Sequence, residues 1–352
     1  MKTIQIGNRE VGGNNPCFII AELSANHGKD INIAIDTIKA AKKAGADAIK
    51  LQTFTPDTIT LNAKREEFLI NHGTLWDGKY LYDLYKETYL PWEWHETLFN
   101  VAKEEGLLCF SSPFDLTAVS FLENLNVPAY KIASPEILDI PLIKACAKTG
   151  KPIIISTGIA SIEDINLAVQ TCLAEGNNQI VLLKCTTSYP APIEDANLKT
   201  IPNLVDTFDV IGGLSDHTLG VVAPVVSVAL GGKVIEKHFI LDRSIGGADA
   251  SFSLDTEQFK EMVESVRDAE KSLGKISYKL KEKASSLSKL ASRSLFITED
   301  VKKGEILTNE NIRSIRPGNG IHPKYLNQVL GKQFNSNYKK GEPLLFQMIE
   351  NV

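Results

Sequence analysis

Two apolar stretches end in residues suited to acid–base or metal chemistry: GLSDHT at 213–218 and VIEKHF at 234–239. In a strand, residues two apart share a face. Ser215 therefore pairs with His217 and Glu236 with His238, while Asp216 points the other way. Lys50 with Gln52 and Lys184 with Thr186 repeat the pattern. Glu22, Ser112, Lys131, Ser134, Glu136 and Ser156 stand at the corresponding ends of other apolar runs. A single buried lysine or glutamate is ordinary, but polar residues at the same end of every run cost desolvation unless paired or facing a ligand. Together they read as the floor of an active site.

Of six histidines, only His217 and His238 end such runs. A lone histidine there is more often hydrogen-bonded core than ligand. Two on neighbouring strands, about 4.8 Å apart, can share a metal, and imidazole suits Mn, Fe, Co or Zn. No third ligand is evident, so the site would be open to water and substrate, as a Lewis-acid metal requires.

The elements that must carry these residues alternate strictly. CFIIAEL (17–23) precedes a helical pattern from 31, and ADAIKLQT (46–53) is followed, after an interruption, by EWHETLFNVAKEEG. LLCFSS, AYKIAS, PIIISTG, QIVLLKCT, VIGGLSDH and VIEKHF each precede a further helical pattern. Helices that close on glycine and pass directly into strands, as in KAGADAIK, KEEGLLCF and KTGKPIIIS, predict right-handed crossovers. Eight such units with strands covered on both faces predict a (β/α)8 TIM barrel. A doubly wound open sheet is the alternative, weakened because no GxGxxG opens the first helix.

The interruption at 54–91 is rich in aromatics and would sit at the C-terminal face, as a lid, a sugar-binding wall or a packed insertion. The barrel is expected over 1–275, a polar, lysine-rich linker over 276–290, and a small, mostly β domain over 291–352. In that last segment KKGE occurs twice, and Gly304 and Gly341 are expected to make matched turns.

The net charge of -5 gives no basic field for nucleic acid. No segment approaches the roughly 18 apolar residues of a membrane span, and the N-terminus carries no signal-peptide core, so a cytoplasmic protein is expected. The five cysteines are odd in number, lack a CxxC pair, and read as reduced core residues.

IIAELSANH, AGADAIKLQTFTPDTITL, LPWEWH, CFSSPFD, AYKIAS, STGIAS, LLKCTTSYPAP, GLSDHT, VIEKHF and RPGNGIHP, in that order, resemble the sialic acid synthase family, and most of all its pseudaminic acid synthase branch. The C-terminal segment resembles the antifreeze-like (SAF) domain fused to the barrel in that family. The resemblance implies condensation of phosphoenolpyruvate with an open-chain amino sugar, giving a nine-carbon 2-keto acid and inorganic phosphate. For the pseudaminic branch the sugar is 2,4-diacetamido-2,4,6-trideoxy-L-altrose. It also implies a divalent metal on His217 and His238, Mn2+ first, with Mg2+ or Co2+ as substitutes.

By the same resemblance, Lys50, Lys131, Ser112, Ser134, Ser156 and Ser215 surround phosphoenolpyruvate, an anion of up to three charges that ammonium groups and hydroxyls suit. Glu22 and Glu136 handle protons or sugar hydroxyls, Tyr189 and Asp249 contact the sugar, and Gln52 lines the barrel floor. Arg316 is implied to reach the site from the partner chain of a domain-swapped homodimer. There are departures: Thr187 stands where the N-acetylneuraminate branch has an asparagine, Pro135 replaces an aromatic, and Ala250 a serine. An N-acetylneuraminate or legionaminate synthase using a manno-configured sugar is the alternative enzyme. A non-catalytic sugar- or ice-binding protein is the alternative class, and the filled set of strand-end residues disfavours it.

Overall fold

A computed structural model describes residues 2–71, 73–279 and 282–351, without the side chains of 282–286. It forms two compact units, 1–274 and 275–352. Among the described residues no helix is long and apolar enough to cross a membrane.

In the first unit, eight parallel strands close into a barrel. They are β3 (Phe18–Glu22), β4 (Ala48–Thr53), β5 (Leu108–Pro113), β6 (Tyr130–Ile132), β7 (Ile153–Ser156), β8 (Ile180–Cys185), β9 (Ile211–Asp216) and β10 (Val234–His238). β10 pairs with β3 to complete the ring. The expected helices follow the strands in turn, from Ile31–Lys43 after β3 to Thr256–Leu273 after β10. Gly45, Gly106 and Gly150 take the positive φ that ends a helix and releases the chain into the next strand.

The strand alternation sorts the side chains into layers. Ile19, Ala21, Ile49 and Leu51 point outward and pack with Ile38, Leu98, Phe259 and Met262 of the helices. Phe18, Ile20, Ala48, Phe110, Ile154, Val181 and Ile211 fill the lower lumen. A hairpin of β1 (Thr3–Ile6) and β2 (Arg9–Gly12) adds Ile4, Ile6 and Val11 to that cluster and plugs the N-terminal mouth. With the lower lumen apolar and closed, the polar residues are confined to the C-terminal end.

One strand departs from the expected pattern. In β8, Val181 and Leu183 belong to the lumen cluster and Leu182 to the outer one. Lys184 therefore shares the helix-facing side, where its Nζ donates to the Cys185 carbonyl at 2.6 Å and to Thr186 Oγ1 at 3.2 Å. Cys185 takes the lumen side instead. QIVLLKCT is apolar on both faces, so alternation alone could not assign its parity.

The interruption after β4 holds short helices Pro56–Ile59 and Leu81–Thr88 and an antiparallel bridge between Leu69 and Tyr80. Its tip brings Trp76 to the C-terminal face, with ring centroids 5.8 Å from Tyr189 and the indole N–H donating to the Ala248 carbonyl. A cavity of about 480 Å³ opens beside it, lined by Ala25, Lys29, Trp76 and Ala248 among others.

In the second unit, Leu295, Ile297, Leu307, Ile312, Phe334 and Leu344 form a separate core around β11 (Ser294–Ile297) and β12 (Ile312–Ile315). The KKGE repeat has a structural basis. Val301 and Tyr338, which precede the two copies, exchange backbone hydrogen bonds of 3.0 Å each. Glu305 and Glu342 turn back to accept from the backbone N–H of Lys302 and Lys339. Gly304 and Gly341 have positive φ, so both expected turns are present. The segment expected as a linker carries a helix, Glu282–Ala291, while Leu280 and Lys281 of that segment lie outside the described residues. The Lys289 carbonyl accepts from Gly318 N, which ties the helix to the second unit.

Candidate active site

At the C-terminal end of the lumen, Lys50 Nζ lies 3.0 Å from Glu22 Oε2, 3.4 Å from Glu236 Oε1 and 3.3 Å from Ser112 Oγ. Lys131 Nζ lies 3.7 Å from the same Glu236 oxygen and donates to Ser156 Oγ at 2.7 Å. Ser215 donates to Glu236 Oε1 at 3.3 Å. Gln52 donates to Glu22 Oε1 at 3.0 Å and to Ser24 Oγ at 3.1 Å. Four strands thus contribute ammonium groups, carboxylates or amides to one buried network, and three more add the hydroxyls of Ser112, Ser156 and Ser215.

A second cluster adjoins it. The rings of His217 and His238 are 5.2 Å apart between centroids, and Tyr189 covers His217 at 4.4 Å. The Thr186 carbonyl, 2.9 Å from His217 Nδ1, can only accept, so Nδ1 carries the proton and Nε2 the lone pair. His238 Nδ1 is buried without a hydrogen-bond partner, 3.9 Å from Asp249 Oδ2. Asp249 accepts from the Ser24 hydroxyl, which links the two clusters.

Ser134 and Thr187 approach each other at 3.3 Å, and Ile159 N donates to Ser134 Oγ. Gly158 leaves room for this contact. A Cβ there would fall 2.1 Å from Thr187 Oγ1 and 2.7 Å from Ser134 Oγ.

Burial governs the electrostatics. It pushes both His217 and His238 below the usual imidazole range, His238 well below, where the His217 and lysine charges add to the effect. Neutral imidazoles are the form that binds metal. Burial raises Glu136 to about 7, with one carboxylate oxygen left unpartnered. Burial likewise raises Glu22, Lys50 pulls against it, and Glu236 adds to the rise. Burial lowers Lys131, with Glu236 opposing. Two lysines facing two carboxylates leave little net charge before an anion enters.

Two imidazoles with lone pairs and no closing ligand suit a divalent ion that keeps open positions. Among the described residues, no group of three or more His, Cys, Asp or Glu side chains converges as a metal cage.

A model of the NeuB family matches residues 37–278. The chain belongs to the NeuB family. A SAF domain model matches residues 292–350. The chain is similar to the pseudaminic acid synthase of Campylobacter jejuni strain 81-176, at 49% identity over 97% of this chain and 98% of that one. It is 45% identical to the pseudaminic acid synthase of Helicobacter pylori strain 26695, over 95% of this chain and 98% of that one. Among solved structures, the N-acetylneuraminic acid synthetase of Leptospira borgpetersenii superposes with a TM-score of 0.72 at 31% identity, covering 81% of this chain and 95% of that one. The NeuB-family barrel and SAF domain match the fold the motifs imply.

Within this NeuB barrel, the first cluster gathers Glu22, Lys50, Gln52, Ser112, Lys131, Ser156 and Ser215, and the second Tyr189, His217, His238 and Asp249. Ser134 neighbours Thr187, and Glu136 follows it in a short turn, Pro135–Leu138. Arg316 is exposed, in the second unit. Glu236, given no role by the motifs, lies between the two lysines. It shares a strand face with His238, so its spacing could have signalled this. Ser24 bridges Gln52 and Asp249 from beyond the end of β3, where strand spacing gives no guidance.

Proposed function

We propose that the protein condenses phosphoenolpyruvate with open-chain 2,4-diacetamido-2,4,6-trideoxy-L-altrose to give pseudaminic acid and inorganic phosphate. The observation that carries this reading is the pair Lys50 and Lys131, buried with three serine hydroxyls beside two imidazoles. Lys50, Lys131, Ser112, Ser134, Ser156 and Ser215 bind the carboxylate and phosphate, exchanging the Glu236 carboxylate for a stronger anion. C3 of the enol phosphate bonds to the sugar aldehyde carbon, water adds at C2, and the C2–O bond to phosphate breaks to leave the 2-keto acid. Glu22 and Glu136 hold or release the protons these steps require. Tyr189, Asp249 and Gln52 orient the sugar.

Mn2+, with Mg2+ or Co2+ as substitutes, would be held by His217 and His238 and supplies Lewis-acid polarisation of the aldehyde. Arg316 completes the site from the SAF domain of a second copy, a reading supported by its exposure and its lack of a side-chain partner among the described residues. Thr187, in place of an asparagine, favours the altro sugar over manno-configured ones. Phosphate release with phosphoenolpyruvate and the altro sugar, and little with N-acetylmannosamine, is the expected result. Robust turnover of N-acetylmannosamine alone would assign the manno substrate instead.

A further inference from the structure

We infer that Asp216 and Lys237, on the helix-facing side of β9 and β10, form a clamp that sets the position of His217 against His238. The proposal rests on the reading of the two histidines as a metal site. Their ladder pairs Ser215 with Glu236 and Asp216 with Lys237, and there it stops. His217 lies one residue past the end of β9, so on the His238 side the β10 ladder no longer holds it, while on the far side its carbonyl accepts from Ala191 N at 2.9 Å.

The clamp takes over at that point. Lys237 Nζ bonds Asp216 Oδ2 at 2.5 Å and also donates to the Thr218 carbonyl, while Asp216 Oδ1 accepts from Thr218 N at 2.9 Å. Both backbone polar groups of the residue after His217 are thereby fixed to β9 and β10. The paired side chains are 0% and 1% exposed. Apolar residues would fill the same space without the desolvation cost of a buried ion pair, but they could not hold the Thr218 peptide. Asp216 and Lys237 are therefore positioning residues and touch no substrate.

The test compares Asp216→Asn, Lys237→Met and the double variant Asp216→Leu/Lys237→Met with the full-length wild type. Three readings are taken: melting temperature, Mn2+ affinity of the metal-free protein by electron paramagnetic resonance, and long-range 1H–15N spectra of the histidine rings. The single variants should melt earlier, because one buried charge loses its partner. The double variant should recover melting temperature while its His217 ring signals shift and its Mn2+ dissociation constant rises at least about tenfold, the scale for loss of support around a ligating histidine. Should the double variant not fold, Lys237→Met, which removes the bond to the Thr218 carbonyl, gives the same two readings. Wild-type ring signals and Mn2+ affinity in the folded variant would overturn the clamp. Absence of Mn2+ binding by the wild type would overturn the metal reading instead, and the ring signals would still decide the clamp.

Discussion

Lys50 Nζ stands 3.4 Å from Glu236 Oε1, both side chains nearly withdrawn from solvent. A carboxylate occupies the place where an anionic substrate is proposed to bind, with a second lysine, Lys131, on the same oxygen. Burial favours the neutral form of both lysines and Glu236 opposes it: with Glu22 it outweighs burial at Lys50, which is raised, whereas Lys131 stays lowered.

Replacing Lys50 by Met should therefore have two effects. Glu22 and Glu236 lose a buried partner, at a cost of about 3–5 kcal/mol in stability. The gain in melting temperature that phosphoenolpyruvate gives the wild type should also vanish. Thermal melts with and without phosphoenolpyruvate check both, and a persisting ligand shift in the variant would remove Lys50 from the anion site.

Glu136 should control the pH response. Burial raises its carboxyl from 4.5 to about 7. Below pH 4.5 the group is neutral whether folded or unfolded, and between 4.5 and 7 the unfolded chain releases a proton that the folded state retains. The stabilising contribution is thus complete at low pH and is lost as pH rises through 7. Glu136→Gln should match the wild type in stability near pH 4 and exceed it by up to about 3 kcal/mol above pH 7. If the carboxylate acts as base, the wild-type kcat/KM rises with pH around 7 and the variant lacks that limb. Denaturant melts and rate profiles over pH 4–9 read the two effects separately.

Arg316→Ala should lower turnover without unfolding the barrel, because its side chain makes no hydrogen bond or ion pair among the described residues. Mixing that variant with a His217→Ala barrel variant in equal amounts should restore about a quarter of the wild-type activity per site if the arginine acts in trans, because random pairing makes half of the dimers mixed and each mixed dimer has one intact composite site of two. No recovery on mixing, with subunit exchange verified by mass, would place Arg316 outside the partner's site.

The eight barrel strands were legible because each is a short apolar run, several open directly after a glycine or proline, and helical spacing follows. The lumen-facing residues of β4, β9 and β10 followed from a period of two. Alternation left β8 unassigned, because apolar residues on both faces leave the parity free and Cys185, not Lys184, faces inward. It also passed over the β1–β2 hairpin, whose four-residue strands carry too short a pattern to stand out, although that hairpin is what closes the lower lumen.

The sequence by itself determined the barrel, the SAF domain and which strand ends are polar, because periodicity and motif order are properties of the chain alone. Tertiary structure decided that Lys50 and Lys131 share one Glu236 oxygen, that Ser24 joins Gln52 to Asp249, and that Asp216, silent in the motif GLSDHT, anchors the peptide after His217. These relations depend on which strands become neighbours when the ring closes and on where the ladder stops. Separations of that kind are set by register and curvature in three dimensions, and no local pattern along the chain encodes them.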